Sequence, residues 1–538
     1  MLIRGLLNDF RMIWIKKNTS HYVSAPLLSS MFFGACTSVP NIYPQFGLLL
    51  FILWVPILLL SHNTPRSIIW KVGLAFGLCY QITATYWVID FFSNLRTLHI
   101  LSACLIASSF WLFASLKFVI AFWVYGWIKE RLPCYSLLTL PPIIVLVFAH
   151  FPSIFPLHLS LGLIDFPILL QANEFTGSNG SDLFVLYANV FFYLILTTRK
   201  KPGSNIPLFI TGLLLLSWIS ICIIQQNKWL EKGTSQTMTA GLIQKNDPPI
   251  AKIPTHVEGY SWSYPPEMEV SRELVHQKLD LLIWPESRFQ GYYENKFVRL
   301  SYQVQVNNMD TPLLFHDTNT VFGEANFSAL TLLRPQTVPI EYRKQVLIPF
   351  AEYLPDFISG DILSSIMSQF LGDFATSLEP GNTASIFELD GVNLYPFICY
   401  EIIFSDIVAE RMRDGHKRLI IVSSNDTWFG NSHAVNLHHA HAILRAVENR
   451  TSLIHLTNNG PSITVSPNGK ITNKTPAQTR GGFIAQVPIS PKTNLSFYSR
   501  HPSVFTYILA TVLIFWLFMS RKIKTAPELC TNDERNIT

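Results

Sequence analysis

Cys399 closes an apolar run, Tyr395-Pro-Phe-Ile-Cys-Tyr-Glu401, and no other cysteine lies between Cys222 and Cys530. A thiol at the end of a strand pattern is a candidate nucleophile, yet a free cysteine has a pKa near about 8.5 and needs a base or a cation to become a thiolate. Upstream, Leu281-Leu-Ile-Trp-Pro-Glu286 ends a second strand pattern on Glu286, and Tyr342-Arg-Lys-Gln-Val-Leu-Ile-Pro-Phe-Ala-Glu352 offers Lys344 and Glu352. A carboxylate on a partly desolvated strand end has its pKa raised toward the range of a general base. A fixed cation stabilises the negative charge that develops on an attacked carbonyl. Singly, each residue has a plain reading: Cys399 as packing, Glu286 as a turn acid, Lys344 as a solvated charge. Together they describe nucleophilic attack on a carbonyl.

The elements that carry these residues divide sharply by composition. Of 538 residues 49% are hydrophobic and only 14% charged, so much of the chain lies where water is absent and the protein is an integral membrane protein. Long apolar runs fill residues 24–224, mixed composition covers 225–502, and a last apolar run occupies 503–520. Eight membrane segments are expected, near 24–40, 45–61, 68–89, 99–128, 136–154, 181–197, 206–224 and 503–520, the first two interrupted by Pro40 and Pro44. Basic residues gather at the N-terminus (Arg4, Arg11, Lys16, Lys17) and in alternate loops (Arg66, Lys71; Lys129, Arg131; Arg199, Lys200, Lys201). They recur in the tail (Arg521, Lys522, Lys524), so all these segments fall on one side. That places residues 1–23 and 521–538 in the cytoplasm and the 225–502 domain outside, following the seventh helix. The net charge of +5 is scattered rather than clustered, which argues against a nucleic-acid partner.

Within 225–502, short β-rich runs alternate with helical patterns. Strands are expected over 238–243, 279–284, 311–315, 329–333, 394–399, 419–423, 451–456 and 462–465, and helices near 266–278, 294–307, 404–415 and 436–449. This is a layered α/β domain.

The motifs Trp284-Pro-Glu286, Tyr342-Arg-Lys344 to Phe350-Ala-Glu352, Ile398-Cys-Tyr-Glu401 and Ser424-Asn-Asp-Thr-Trp-Phe-Gly430 resemble the Glu-Lys-Cys signatures of the nitrilase superfamily. With the flanking helices, Gln244-Lys-Asn246, Arg445-Ala-Val-Glu-Asn449 and Thr457-Asn-Asn-Gly460, the resemblance is to its membrane-bound branch, the apolipoprotein N-acyltransferases. It implies an αββα sandwich inserted before the last of eight membrane helices. It also implies a ping-pong reaction in the bacterial inner membrane, with the catalytic domain on the periplasmic side. In that reaction Cys399 takes an acyl chain from a phospholipid as a thioester and passes it to the α-amine of a diacylglyceryl-cysteine on a lipoprotein. By the same resemblance Glu286 is the base, Lys344 the oxyanion partner, Glu352 the acid supporting Lys344, Glu401 the residue following the nucleophile, and Trp428 a site wall, where its plain reading is packing. No cofactor or metal is implied. The chain departs from the family pattern at Arg343, Ala351 and near Ile253, and in the connection after Pro502.

A tethered amidase or nitrilase and a transporter with a large external domain are the competing classes. A tether needs one helix, and a transporter favours more charge within its spans than Lys71, Asp90 and Lys117 provide. His433, His438, His439 and His441 read as an ordinary polar helix face rather than a metal site. Ile358, Ile362, Leu363, Ile366, Met367, Phe370 and Leu371 recur at helical spacing on one apolar face, which reads either as an amphipathic helix packed on its own domain or as a lid dipping into the outer leaflet beside the site, with Gly360 and Gly372 as hinges.

Overall fold

The computed structural model describes residues 24–96, 99–132, 135–197, 205–231, 236–247, 260–286, 293–320, 326–353, 355, 378–413, 416–489 and 495–522. Cys134, Cys530, the Arg199–Lys201 cluster and the amphipathic segment 358–371 lie outside these residues.

Among the described residues, five helical stretches are long and apolar enough to cross a membrane: Pro44–Asn63, Arg66–Ala84, Ile100–Lys129, Ser178–Thr197 and Ile206–Trp229. Ser136–His150 and Val504–Phe518 are shorter apolar helices, and Ser24–Ile42 packs along Arg66–Ala84. The polytopic architecture expected from hydropathy is present. Close approach depends on small residues: a Cβ on Gly34 would meet the Phe76 carbonyl oxygen at 2.2 Å, and one on Gly73 the Phe118 carbonyl oxygen at 2.8 Å. The gap is filled by Trp54, Phe76, Phe118 and Phe122, all fully buried.

The third span differs from the 68–89 expected. Its helix ends at Ala84, and Val88–Arg96 forms a separate short helix. Hydropathy runs through the break because Trp87, Val88, Phe91 and Phe92 are themselves apolar, but they are buried against other protein elements rather than continuing a span. The segment expected over 136–154 likewise stops at His150, ahead of the helix-disfavouring Pro152.

The described residues of the α/β domain form twelve strands: β1 (Gln236–Gln244), β2 (Leu281–Ile283), β3 (Leu313–Thr320), β4 (Asn326–Leu333), β5 (Ile340–Arg343), β6 (Phe387–Leu389), β7 (Val392–Ile398), β8 (Lys417–Ser424), β9 (Ser452–Thr457), β10 (Ile463–Val465), β11 (Ile471–Lys474) and β12 (Gly481–Ile489). They form two six-stranded sheets, ordered β12-β1-β2-β3-β4-β5 and β11-β10-β9-β8-β7-β6. In each, three central strands run parallel and the outer ones antiparallel. Alternating side chains divide the faces. Leu281, Ile283, Ile398, Leu419, Ile421, Ile454 and Leu456 fill the space between the sheets, while Leu282 and Phe315 turn outward under the helices Pro266–Leu274 and Lys296–Met309. On the other side Phe397, Ile420 and Val422 meet the helix Ala434–Asn449, whose core continues without interruption into the membrane helices. The layers are αββα, as the resemblance implied. Four strands had gone unseen: β5 and β6 have four and three residues, and β11 is exposed. β12 carries Pro488, which marks a run as a non-strand or an edge, and β12 is an edge.

Buried polar bonds join the two parts. Arg450 Nε lies 2.8 Å from Glu174 Oε2, and its other nitrogens reach the side chain and carbonyl of Gln171. Glu448 binds Arg445 and the Ser178 amide and hydroxyl, and accepts from Ser405, which also meets the Tyr498 hydroxyl ahead of the last helix.

Candidate active site

Parallel strands bring their carboxyl ends to one edge of each sheet, and the residues singled out in the sequence collect there. Glu286 follows β2 and Cys399 follows β7. Lys344 leaves β5, its amide donating to the Ser328 carbonyl at 2.8 Å.

Cys399 opens a single 3₁₀ turn, Cys399–Ile403, with φ of +48°. Glu401 holds that turn. One carboxylate oxygen accepts the Ile398 amide at 2.8 Å, and the other accepts the Tyr342 hydroxyl at 2.8 Å and the Gln345 amide at 2.7 Å. The strand carrying Lys344 and the turn carrying the thiol are thus tied to one buried carboxylate. Tyr400 reaches the other way: its hydroxyl donates to the Ile154 carbonyl, and its ring meets Phe155 edge-on. The thiol therefore sits where the α/β domain meets the membrane helices.

Lys344 Nζ is 2.6 Å from Glu352 Oε1, and Glu352 Oε2 takes the Ile348 amide at 2.8 Å. Burial alone would lower the Lys344 pKa, but the carboxylates of Glu352 and Glu286 outweigh it and hold it above the usual lysine value. Glu286 keeps some accessible surface, but its carboxyl is enclosed. It accepts the Asn425 amide at 2.8 Å and is hydrogen-bonded to the Cys399 side chain. Desolvation pushes its pKa up to about 7 against the pull of Lys344. Burial, and then the negative Glu286, raise the Cys399 thiol well above its ordinary value, with Lys344 opposing. The raised thiol thus lies hydrogen-bonded to a carboxyl of raised pKa and beside a buried cation. This arrangement can attack an acyl carbon and move protons through Glu286.

Trp428 packs on the membrane-side core, and its carbonyl accepts from Asn94 Nδ2 at 3.1 Å. Phe429 stacks on Phe91 and meets Trp87 edge-on, so the short helix Val88–Arg96 is a shelf under the Asp426–Phe429 turn.

The histidines are not the polar helix face expected. All four are buried, and His433 Nε2 caps the broken third span through the Ala84 carbonyl at 2.8 Å. His438 lies between Asp426 Oδ1, 2.9 Å away, and the Cys399 carbonyl, 3.0 Å away. Cys399, Asp426 and His438 each bring a ligand-type atom within 4.8 Å of the others, so a cysteine and a carboxylate do join this histidine. Its two ring nitrogens are already taken up by hydrogen bonds, which leaves a hydrogen-bonded pair rather than an open ligand set. The i, i+3 spacing of His438 and His441 showed a helix face; only the fold-back of Asp426, twelve residues upstream of His438, reveals the partner.

Comparison with known families agrees with this layout. Residues 33–191 match the apolipoprotein N-acyltransferase N-terminal domain and residues 267–492 the carbon-nitrogen hydrolase domain. The chain is 29% identical over 271 residues to an apolipoprotein N-acyltransferase 2 of Treponema denticola, covering 47% of this chain and 50% of that one. It is 27% identical over 374 residues to an apolipoprotein N-acyltransferase of Chlorobaculum tepidum, covering 63% of this chain and 68% of that one. The matches thus span about half to two thirds of these relatives' length. Among solved structures, Saccharomyces cerevisiae Nit3, of branch 10 of the nitrilase superfamily, aligns with a TM-score of 0.34 at 16% identity, over 50% of this chain and 95% of that one. The chain thus carries an apolipoprotein N-acyltransferase N-terminal domain followed by a carbon-nitrogen hydrolase domain.

Proposed function

We propose that the protein transfers a fatty acyl chain from a phospholipid, through a thioester on Cys399, to the N-terminal α-amine of a diacylglyceryl-cysteine on a lipoprotein. In the first half, Glu286 takes the thiol proton as sulfur attacks the ester carbonyl. Lys344 stabilises the oxyanion, and Glu286 returns the proton to the departing lysophospholipid alkoxide. In the second half, the amine attacks the thioester, Glu286 takes a proton from its nitrogen, and the proton passes to the leaving thiolate. Bonds and protons balance without a cofactor. Glu352 holds Lys344, Glu401 holds the nucleophile's turn, and Trp428 walls the site.

The observation that carries this reading is that one turn joins the thiol, bonded to Glu286 and beside Lys344, to the membrane helices through Tyr400 and Ile154. Both substrates carry acyl chains that would lose about 0.8 kcal/mol per methylene on being drawn into water. A site at this junction receives them without that loss. The same reading places the protein in a bacterial inner membrane with residues 225–502 on the periplasmic side.

The test is acylation of a diacylated lipopeptide in phospholipid vesicles. Cys399→Ala and Cys399→Ser are expected to abolish transfer while keeping the wild-type melting temperature. Transfer by Cys399→Ala overturns the mechanism, and release of ammonia from small amides at a comparable rate points to a tethered amidase instead. For orientation, a Val338→Cys protein is expected to take an impermeant thiol label from outside, and Arg131→Cys is not; the reverse pattern inverts the topology.

A further inference from the structure

The Cys399 backbone lies in the left-handed region at φ +48°. That conformation disfavours an L side chain by about 1–2 kcal/mol, and it persists only where the surroundings hold it. Glu401 fixes the amide side of the turn. The carbonyl side is met by His438.

His438 Nε2 is 3.0 Å from the Cys399 carbonyl oxygen and Nδ1 is 2.9 Å from Asp426 Oδ1. A carbonyl and a carboxylate both accept, whereas a neutral imidazole has a single N–H. Both contacts are hydrogen bonds only if the His438–Asp426 pair holds one proton more than a neutral ring beside an ionised carboxylate. Both contacts are direct and shielded from bulk solvent, since Asp426 is fully buried and His438 only 6% exposed.

The groups facing His438 are Asp426 from its 3₁₀ turn, Glu286 beyond β2, Cys399, Phe429, its helix neighbours His439 and His441, and His455 on β9, whose ring stands edge-on at 4.5 Å. Burial lowers the pKa of His433, His439, His441 and His455, which keeps those rings neutral. At His438 burial acts the same way, but the Asp426 carboxylate outweighs it and the pKa stands above the usual histidine value.

We propose that His438, oriented by Asp426, is a positioning residue for the nucleophile: its Nε2–H clamps the Cys399 carbonyl and holds the left-handed turn that sets the sulfur beside Glu286 and Lys344. This rests on Cys399 being the attacking thiol. His438 touches neither substrate nor sulfur in this role.

The experiment uses the full chain in detergent and follows alkylation of Cys399 by iodoacetamide, located by peptide mass, from pH 5 to 9, together with thioester formation from phospholipid. His438→Ala is expected to slow both, with thioester formation falling on the order of 10²-fold, the scale of an ångström-level misplacement of a reacting group. His438→Gln restores one donor toward the carbonyl and is expected to recover about tenfold of that loss. Asp426→Asn, which is isosteric, is expected to alter the pH profile at an unchanged melting temperature, and it carries the test if His438→Ala does not fold. Wild-type rates and profile in His438→Ala, or a loss that His438→Gln leaves untouched, or an unaltered profile in Asp426→Asn, overturns the proposal. Acyl transfer that survives in Cys399→Ser overturns the nucleophile assignment instead, so the two failures are distinguishable.

Discussion

The carboxylate of Glu401 accepts the Tyr342 hydroxyl at 2.8 Å, and that bond ties the strand leading to Lys344 to the turn bearing Cys399. The same oxygen takes the Gln345 amide at 2.7 Å and the other takes the Ile398 amide at 2.8 Å. Glu401→Gln turns an amide group toward backbone donors in a buried site. It is expected to destabilise the protein by about 1–3 kcal/mol, the effect of an unmatched buried polar group, and to slow thioester formation. Tyr342→Phe, which removes one bond, is expected to do less of both. Thermal melting and single-turnover acylation measure the pair, and a Glu401→Gln protein unchanged in both rules out the brace.

Lys344 is held by Glu352 at 2.6 Å. Lys344→Met is expected to lower the acylation rate by about 10² or more, as for loss of an oxyanion partner. Glu352→Gln leaves the cation in place but loosens it, so a smaller loss is expected, in kcat rather than in KM. A Lys344→Met variant with normal thioester accumulation contradicts the role.

Glu286 titrates at about 7 because it is desolvated. In the proposed mechanism its ionised form is the base, so thioester formation is expected to rise with pH through a midpoint near 7 and to vanish in Glu286→Gln. The stability effect has the opposite sign. The folded pKa lies above the 4.5 of a free glutamate, so the contribution to stability is full below 4.5 and is lost as pH rises through about 7. Glu286→Gln, which never ionises, is expected to melt increasingly above wild type between pH 5 and pH 8. A constant difference in melting temperature contradicts the shifted pKa.

Arg450 is fully enclosed, with Glu174 at 2.8 Å as its counter-ion across the junction of the two parts. Glu174→Ala leaves that guanidinium buried without its carboxylate, a change that destabilises by about 3–5 kcal/mol. The melting temperature in detergent is expected to fall, and protease cleavage at the junction to rise. Wild-type melting and resistance contradict a junction held by this pair.

The α/β class and the membrane block were legible because each rests on local periodicity: hydropathy over about twenty residues for the helices, and apolar runs between turn residues for eight strands. What was missed depends on distant partners. Nothing local separates Trp87 and Phe91 from a continuing span; their place under Phe429 is a contact across the chain. His438 looked like its helix neighbours until Asp426 and the Cys399 carbonyl closed around it. Arg445, Glu448 and Asn449 were readable as a family motif, while their partners Ser178 and Ser499 belong to other elements. For Glu286, Lys344 and Cys399, the strand ends were visible in the sequence. The sheet order that brings them to one edge was not.

Whether Cys399 carries the acyl group is read most directly from the intact mass of the protein after incubation with a phospholipid of defined chains. A thioester on Cys399 gives a mass increase equal to one acyl group minus one hydrogen, located on the Cys399 peptide, lost on hydroxylamine treatment, discharged by a diacylated lipopeptide and absent in Cys399→Ser. An unmodified protein that nevertheless acylates the lipopeptide, or an adduct on any other residue that the lipopeptide discharges, contradicts it.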